Sequence, residues 1–282
     1  MVTAFIVWDI NPIIASWGEL SLRYYNLLWA LGLLLGYWLL LRFARAEGTP
    51  VRVMDRVALY ASVGVILGAR LGHCLFYDPL YYLANPLEVL EVWKGGLASH
   101  GGAIGVLIGI FLACRKERIP MLWVLDRLVI PIALIAAMIR MGNLMNSEIY
   151  GHPTELPWGM VFVRAGETLP RHPTQIYEAV TYLVVFAALM LLYYRRPALR
   201  ARRGLIFAIF LVVMFAARIL IEFLKEVQSS FEEGWCLDMG QLLSLPFLCY
   251  GVGLLVWALR RGPAEEPRFA GEHAKAPKRQ GR

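Results

Sequence analysis

Seven stretches of the chain consist almost entirely of apolar residues, near positions 22–41, 57–77, 97–114, 128–141, 174–194, 204–224 and 239–259. Most of them reach the ~20 residues that an α-helix needs to cross a hydrocarbon core of ~30 Å. Runs of this length without strict apolar–polar alternation predict helices rather than barrel strands, because backbone inside a bilayer must satisfy its own hydrogen bonds. The fourth run is the weakest. Pro131 interrupts it, and it spans only if the helix within "IPMLWVLDRLVIPIALIAAMIRMG" begins before Asp126. The pattern therefore predicts an all-α integral membrane protein with seven transmembrane helices.

The polar segments between the runs give orientation. Linkers after the first, third and fifth runs hold Arg42, Arg45, Arg52 and Arg56, then Arg115, Lys116, Arg118 and Arg127, then Arg195, Arg196, Arg200, Arg202 and Arg203. Linkers after the second, fourth and sixth runs hold only Lys94, Arg164, Arg171 and Lys225. By the positive-inside rule the first set faces the cytoplasm, which predicts an external N-terminus and a cytoplasmic C-terminus. The stretch 142–173 is too polar to span and reads as a small external subdomain between the fourth and fifth helices. Residues 1–260 form the expected membrane catalytic domain, and the Pro- and Gly-rich basic stretch 261–282 reads as a disordered cytoplasmic tail. "MVTAFIVWDINPIIASWGEL" has no basic n-region of a cleavable signal peptide, and Trp8 and Trp17 suggest a segment lying at the membrane interface.

Composition agrees with this picture: 59% of the 282 residues are hydrophobic and 17% charged, with a mean hydropathy of +0.56. The net charge of +7 sits in loops and tail beside anionic headgroups and comes with no nucleic-acid-binding motif. Cys74, Cys114, Cys236 and Cys249 have no metal-ligand spacing and read as buried inert thiols, with a Cys74–Cys236 disulfide left open. Neither a metal nor a nucleotide motif is present in the sequence.

The informative residues are charges inside the apolar runs. At 1.5 Å per helical residue, Arg70 lies roughly 21 Å from Arg56, His100 roughly 22 Å from Arg115, Arg140 roughly 20 Å from Arg127 and Arg218 roughly 22 Å from Arg203. Four groups on four helices thus share one depth in the outer half of the bilayer. Arginine at such depth is unfavourable by about 2.5 kcal/mol or far more, so it faces a cavity or the bundle interior and acquires a partner. Glu222, four residues after Arg218, lies on the same helix face and could neutralise it. Glu148, Glu178 and Asp238 lie further out, which leaves two readings: internal pairing throughout, or spare positive charge that awaits an anion. The guanidinium fork matches phosphate, and the outer leaflet supplies lipid phosphates.

The segments around these charges carry further candidates. In "GGLASHGGAIG", Gly101 and Gly105, with Gly109 beyond, form a small-residue stripe for close helix packing, while His100 could accept a proton from a nucleophile or hydrogen-bond a lipid. In "RMGNLMNSEIYGHPTELPWGM", Asn143, Asn146 and Glu148 could position headgroup hydroxyls. "RHPTQIYEA" reads as a helix start, with Pro173 in the first turn, Thr174 and Gln175 as opening residues and Glu178 favoured by the helix dipole.

Together with "RYYNLLWALGL", "GARLGHCLFY", "WKGGLASHGGAIG", "RHPTQIYE", "RILIEFLK" and "MGQLLSLP", the segment "RMGNLMNSEIYG" resembles the prolipoprotein diacylglyceryl transferase family, in order and spacing, over nearly the whole chain. The resemblance implies a bacterial inner-membrane enzyme with its active site toward the outer leaflet. Its substrates would be phosphatidylglycerol and the signal peptides of prolipoproteins, whose lipobox cysteine receives the diacylglyceryl group as a thioether while glycerol phosphate leaves. It implies His100, Arg140 and Arg218 as catalytic residues, and Tyr25, Asn143, Asn146, Glu148, Gly151 and Glu222, with the two arginines, as substrate-binding residues. No cofactor is expected. Ile139, Leu144, Ser147 and Asn26 depart from the usual pattern, and Met214 stands where the family has a tyrosine, whose role would then fall to another residue such as Tyr25. Arg70 reads as structural. The competing classes are an anion transporter, against which stands the lack of paired repeats, and a lipid-binding scaffold, which has no need of His100.

Overall fold

The computed structural model describes residues 5–18, 20–226, 237–267 and 269. Each apolar run is a helix: α1 (Tyr24–Glu47), α2 (Val51–Phe76), α4 (Ser99–Glu117), α5 (Met121–Met145), α6 (Thr174–Arg195), α8 (Leu205–Glu222) and α9 (Met239–Arg261). The short helices α3 (Pro79–Ala84) and α7 (Pro197–Arg200) lie between them. All the long helices except α4 are long and apolar enough to cross a membrane, six in number among the described residues. The protein is a predominantly helical, multi-pass membrane protein. Because α5 starts at Met121, it reaches full length and runs on through Pro131.

Four short strands modify the all-α expectation. β1 (Ile6–Trp8) pairs in parallel with β4 (Met160–Phe162), and β2 (Ile13–Trp17) forms an antiparallel hairpin with β3 (Leu20–Arg23). Strands of three to five residues are too short for their alternation to stand out from neighbouring apolar sequence. Trp17 is exposed, as an interfacial residue would be. Trp8 instead donates its indole N–H to the Leu144 carbonyl at 3.0 Å and packs on Leu144, Met160 and Phe162.

The chain forms two compact units. One contains the residues up to Leu39 and Leu125–Glu265, the other Leu40–Val124 and the chain from Glu266. In the first, Gly32 and Gly36 of α1 face Ile135 and Met138 of α5, with Pro131 beside Gly36. Asp126 of α5, fully buried, accepts the Gly204 amide at 2.6 Å and the Phe207 amide at 2.9 Å. It thereby satisfies amide donors that the start of α8 leaves unpaired.

In the second unit α2 and α4 pack backbone to backbone. A Cβ on Gly105 would overlap the Gly64 carbonyl, one on Gly101 the Gly68 carbonyl, and one on Gly109 the Tyr60 carbonyl. The glycine stripe of α4 is therefore a packing surface matched by Gly64, Gly68 and Gly72 of α2. Of the expected tail, Ala264 donates its amide to Ala201 at 2.9 Å and Glu266 accepts the Trp123 indole N–H at 2.9 Å. Residues 268 and 270–282, and with them most of that tail, lie outside the described residues, as does Cys236 with the disulfide left open for it.

Candidate active site

In the first unit α5, α6 and α8 bring charge into apolar surroundings. Arg140 on α5 pairs through Nε with Glu178 Oε2 at 2.9 Å. Glu178, fully buried on α6, also receives Lys225 Nζ at 3.0 Å on Oε1, and Lys225 reaches Glu222 Oε2 at 3.3 Å. The result is a buried chain of alternating charge, Arg140–Glu178–Lys225–Glu222. Gly240 makes room for its far end, since a Cβ there would strike the Glu222 carboxylate. One sequence expectation changes as a result: Glu222 pairs with Lys225 rather than with Arg218, while Glu178 takes the internal pairing left open for it. Among the described residues Arg218 has no carboxylate within ion-pair distance.

Arg140 and Arg218 line one cavity of ≈ 250 Å³ with Ala136, Ile139, Tyr182, Phe210, Met214 and Phe215. Its walls come from α5, α6 and α8, and its polar lining residues are Arg140, Arg218 and Tyr182. The Tyr182 hydroxyl donates to Glu178 Oε1 at 3.2 Å. The site is thus cationic with an apolar rim, suited to an anionic group that carries hydrocarbon.

Arg140 leads into a tight polar turn. Its guanidinium donates to Asn143 Oδ1 at 3.3 Å, and Asn143 and Asn146 donate to Glu148 Oε1 at 2.7 and 3.1 Å. Ser147 and Ile149, on either side of Glu148, both have left-handed backbone, with φ of 54° and 61°. For a β-branched residue such as Ile149 this is strained, and strain of this kind persists where the surroundings hold it. Here Gln175 donates to the Glu148 carbonyl at 2.7 Å and Thr174 to the Ile149 carbonyl at 2.9 Å. Thr174 and Gln175 therefore brace this turn instead of capping α6, whose N-cap is Pro173 without a side-chain bond. Gly151 is confined because a Cβ would strike the Leu224 carbonyl, and Gly142 because it lies against the Tyr25 ring. The structure thus brings Tyr25, Arg140, Asn143, Asn146, Glu148, Gly151, Arg218 and Glu222 into one unit.

His100 belongs to the second unit, in the first turn of α4 with an exposed side chain. Arg70, in the same unit, is buried and saturated by carbonyls. Its Nε donates to Val89 at 3.0 Å, one terminal nitrogen to Gly95 at 2.7 Å and the other to Glu88, and its guanidinium lies 5.0 Å from the Tyr82 ring centre. It fastens the segment between α2 and α4 and, among the described residues, has no acidic side-chain partner.

Beyond the end of α5 a second polar cluster surrounds Arg171, which pairs with Glu167 and with Glu226. Burial tends to raise the Glu167 carboxyl, but the Tyr150 hydroxyl and Arg171 outweigh it and hold the group below its ordinary value. Burial, followed by the bond to Glu167, pushes Tyr150 up to about 12. Burial, followed by the charge of His152, lowers His172.

Sequence reasoning overlooked Lys225 and Tyr182 as site groups and left open which cation Glu178 pairs with. The available signal was Glu178 itself, a carboxylate that opens an apolar run and therefore needs a cation.

These features define an integral membrane protein with an arginine-lined cavity between α5, α6 and α8. A profile of the prolipoprotein diacylglyceryl transferase family matches residues 12–257, and the chain belongs to that family. It is 48% identical to the phosphatidylglycerol–prolipoprotein diacylglyceryl transferase of Porphyromonas gingivalis over 91% of this chain and 96% of that protein. It is 45% identical to the enzyme of the same name from Tolumonas auensis, over 89% and 96%, and 40% identical to that of Chloroherpeton thalassium, over 94% and 98%.

Proposed function

We propose that this protein transfers the sn-1,2-diacylglyceryl group of phosphatidylglycerol to the lipobox cysteine of prolipoproteins, with Arg140 and Arg218 clamping the phosphate. The observation that carries this site assignment is that both guanidiniums line one cavity while Arg218 has no carboxylate partner among the described residues. The cysteine thiolate attacks the glyceryl carbon that bears the phosphate. A carbon–sulfur bond forms, the carbon–oxygen bond breaks, and glycerol phosphate leaves with the bonding electrons. Fixed cations beside the departing oxygen stabilise its charge where little water competes. The thiol proton goes to His100, or His100 instead holds the headgroup. Asn143, Asn146 and Glu148 position the headgroup hydroxyls, and the buried Asn146 Oδ1, which accepts no hydrogen bond among the described residues, is available for one. Tyr25, against Gly142, and Gly151, against Thr174, hold the polar turn in place, and Glu222 pairs with Lys225 at the far end of the charge network.

The reaction belongs in the bacterial inner membrane, with the site toward the outer leaflet where lipid and signal peptide both arrive. In this reading α4 is a seventh span, the N-terminus lies outside, the C-terminus is cytoplasmic and 142–173 forms an external subdomain of the catalytic domain 1–260. The test is purified protein in detergent with phosphatidylglycerol and a lipobox peptide. Thioether product is expected, and Arg140→Ala and Arg218→Ala each lower kcat/KM by at least about a hundredfold, the scale of losing a charge-stabilising donor. Absence of product from the folded wild-type protein overturns the activity. Wild-type rates in both arginine variants overturn the site.

A further inference from the structure

Of the three polar residues that line the cavity, Tyr182 is the one that carries no charge. Its ring is buried and its hydroxyl gives its proton to Glu178 Oε1 at 3.2 Å. That oxygen already receives Lys225 at 3.0 Å, and the other carboxylate oxygen faces Arg140 at 2.9 Å. Glu178 therefore remains neutralised by two cations when the hydroxyl turns away. The bond goes to an oxygen that Lys225 shares. Tyr182 lines the same cavity as Arg140 and Arg218. The rest of the lining, Ala136, Ile139, Phe210, Met214 and Phe215, offers no strong hydrogen-bond donor.

We propose that Tyr182 is a substrate-contacting residue whose hydroxyl donates to a phosphate oxygen of the bound phospholipid and of the departing glycerol phosphate. Arg140 already commits donors to Glu178 and Asn143, and departure adds a third terminal oxygen to the two of the phosphodiester. A neutral donor meets that demand without another full charge to hold back the product. Tyr182 keeps its proton and forms no covalent bond. In this chain, then, α6 supplies a hydroxyl to the cavity where α8 offers only the Met214 thioether. The inference rests on the cavity being the phosphate site.

The experiment measures KM for phosphatidylglycerol and for the lipobox peptide, the inhibition constant of glycerol phosphate, and unfolding temperature, for wild type, Tyr182→Phe, Arg140→Lys and Arg218→Lys in detergent. With Tyr182→Phe, KM for phosphatidylglycerol and the inhibition constant are expected to rise about tenfold, the scale of one hydrogen bond to a charged group. KM for the peptide and the unfolding temperature stay at wild-type values. Unchanged constants for the lipid and for glycerol phosphate overturn the proposal. If Tyr182→Phe also lowers the unfolding temperature, Met214→Tyr is added to it to return a hydroxyl to the cavity. Recovery of the inhibition constant supports the proposal, and no recovery overturns it. If the arginine variants raise both constants and Tyr182→Phe does not, only the role of Tyr182 fails. If none of the three variants moves either constant, the cavity is not the phosphate site.

Discussion

Glu178 is the residue on which the buried charges depend. It is fully buried and faces Arg140 with one carboxylate oxygen and Lys225 with the other. Removing one member of a buried ion network costs about 3–5 kcal/mol, mostly because its partners stay buried and unpaired. Glu178→Gln is therefore expected to destabilise the protein by that order in equilibrium unfolding in detergent. With Lys225→Met in the same chain the loss should be smaller than the sum of the two single losses, because either substitution alone already breaks the Glu178–Lys225 pair, a coupling that a double-mutant cycle isolates. Additive losses would show that the two residues stabilise the fold separately. At this scale the sequence was legible in part. An arginine in an apolar run demands a partner, and the departures from apolarity located Arg140 and Arg218. Which carboxylate answers which cation was not legible, because Glu178 and Lys225 lie 47 positions apart and meet only through the packing of α6 and the end of α8. Local spacing pointed to Glu222 for Arg218, and tertiary contact with Lys225 prevailed.

At the scale of elements, the apolar runs located every long helix, because length and hydropathy are local properties. The four strands escaped since they are shorter than the pattern that would reveal them, and the Asp126 cap escaped since it reaches 78 positions along the chain to Gly204. The glycine stripe was legible as a packing face, though its partner α2 was not. That face makes a sharp prediction. A Cβ on Gly105 would overlap the Gly64 carbonyl, so Gly105→Ala forces α2 and α4 apart. Overpacking of this kind costs about 1–3 kcal/mol, seen as a lower unfolding temperature. Gly253→Ala on α9 is the control, because nothing lies within 4 Å of its added Cβ. It should be neutral or raise stability by up to about 1 kcal/mol through helix propensity. Equal effects at both positions would mean that the α2–α4 contact contributes nothing beyond that propensity.

For the molecule as a whole, the decisive question is whether α4 crosses the bilayer. It has 19 residues but ends in Arg115, Lys116 and Glu117, and it falls outside the six helices that meet the length and hydropathy of a span. Its glycines lie against α2, which does meet them, and backbone contact along several turns keeps two helices at the same depth. Crossing by α4 also fixes the side on which the polar turn after α5 emerges. With α4 across, Leu87, between α2 and α4, and Ala165, between α5 and α6, lie on one side of the membrane. Without it they lie on opposite sides. Both side chains are exposed, as is Ala198 in α7. In a chain whose four native cysteines are replaced, Leu87→Cys and Ala165→Cys are expected to react with a membrane-impermeant maleimide added outside. Ala198→Cys should react only after permeabilisation, since thirteen basic residues mark its side as cytoplasmic against four on the other. Labelling of positions 87 and 165 from opposite faces would reduce the spans to six and leave α4 as a packing helix. Labelling of position 165 from the cytoplasm would also move the cavity out of the outer leaflet, because Arg140 lies in the last two turns of α5, the end from which this segment emerges.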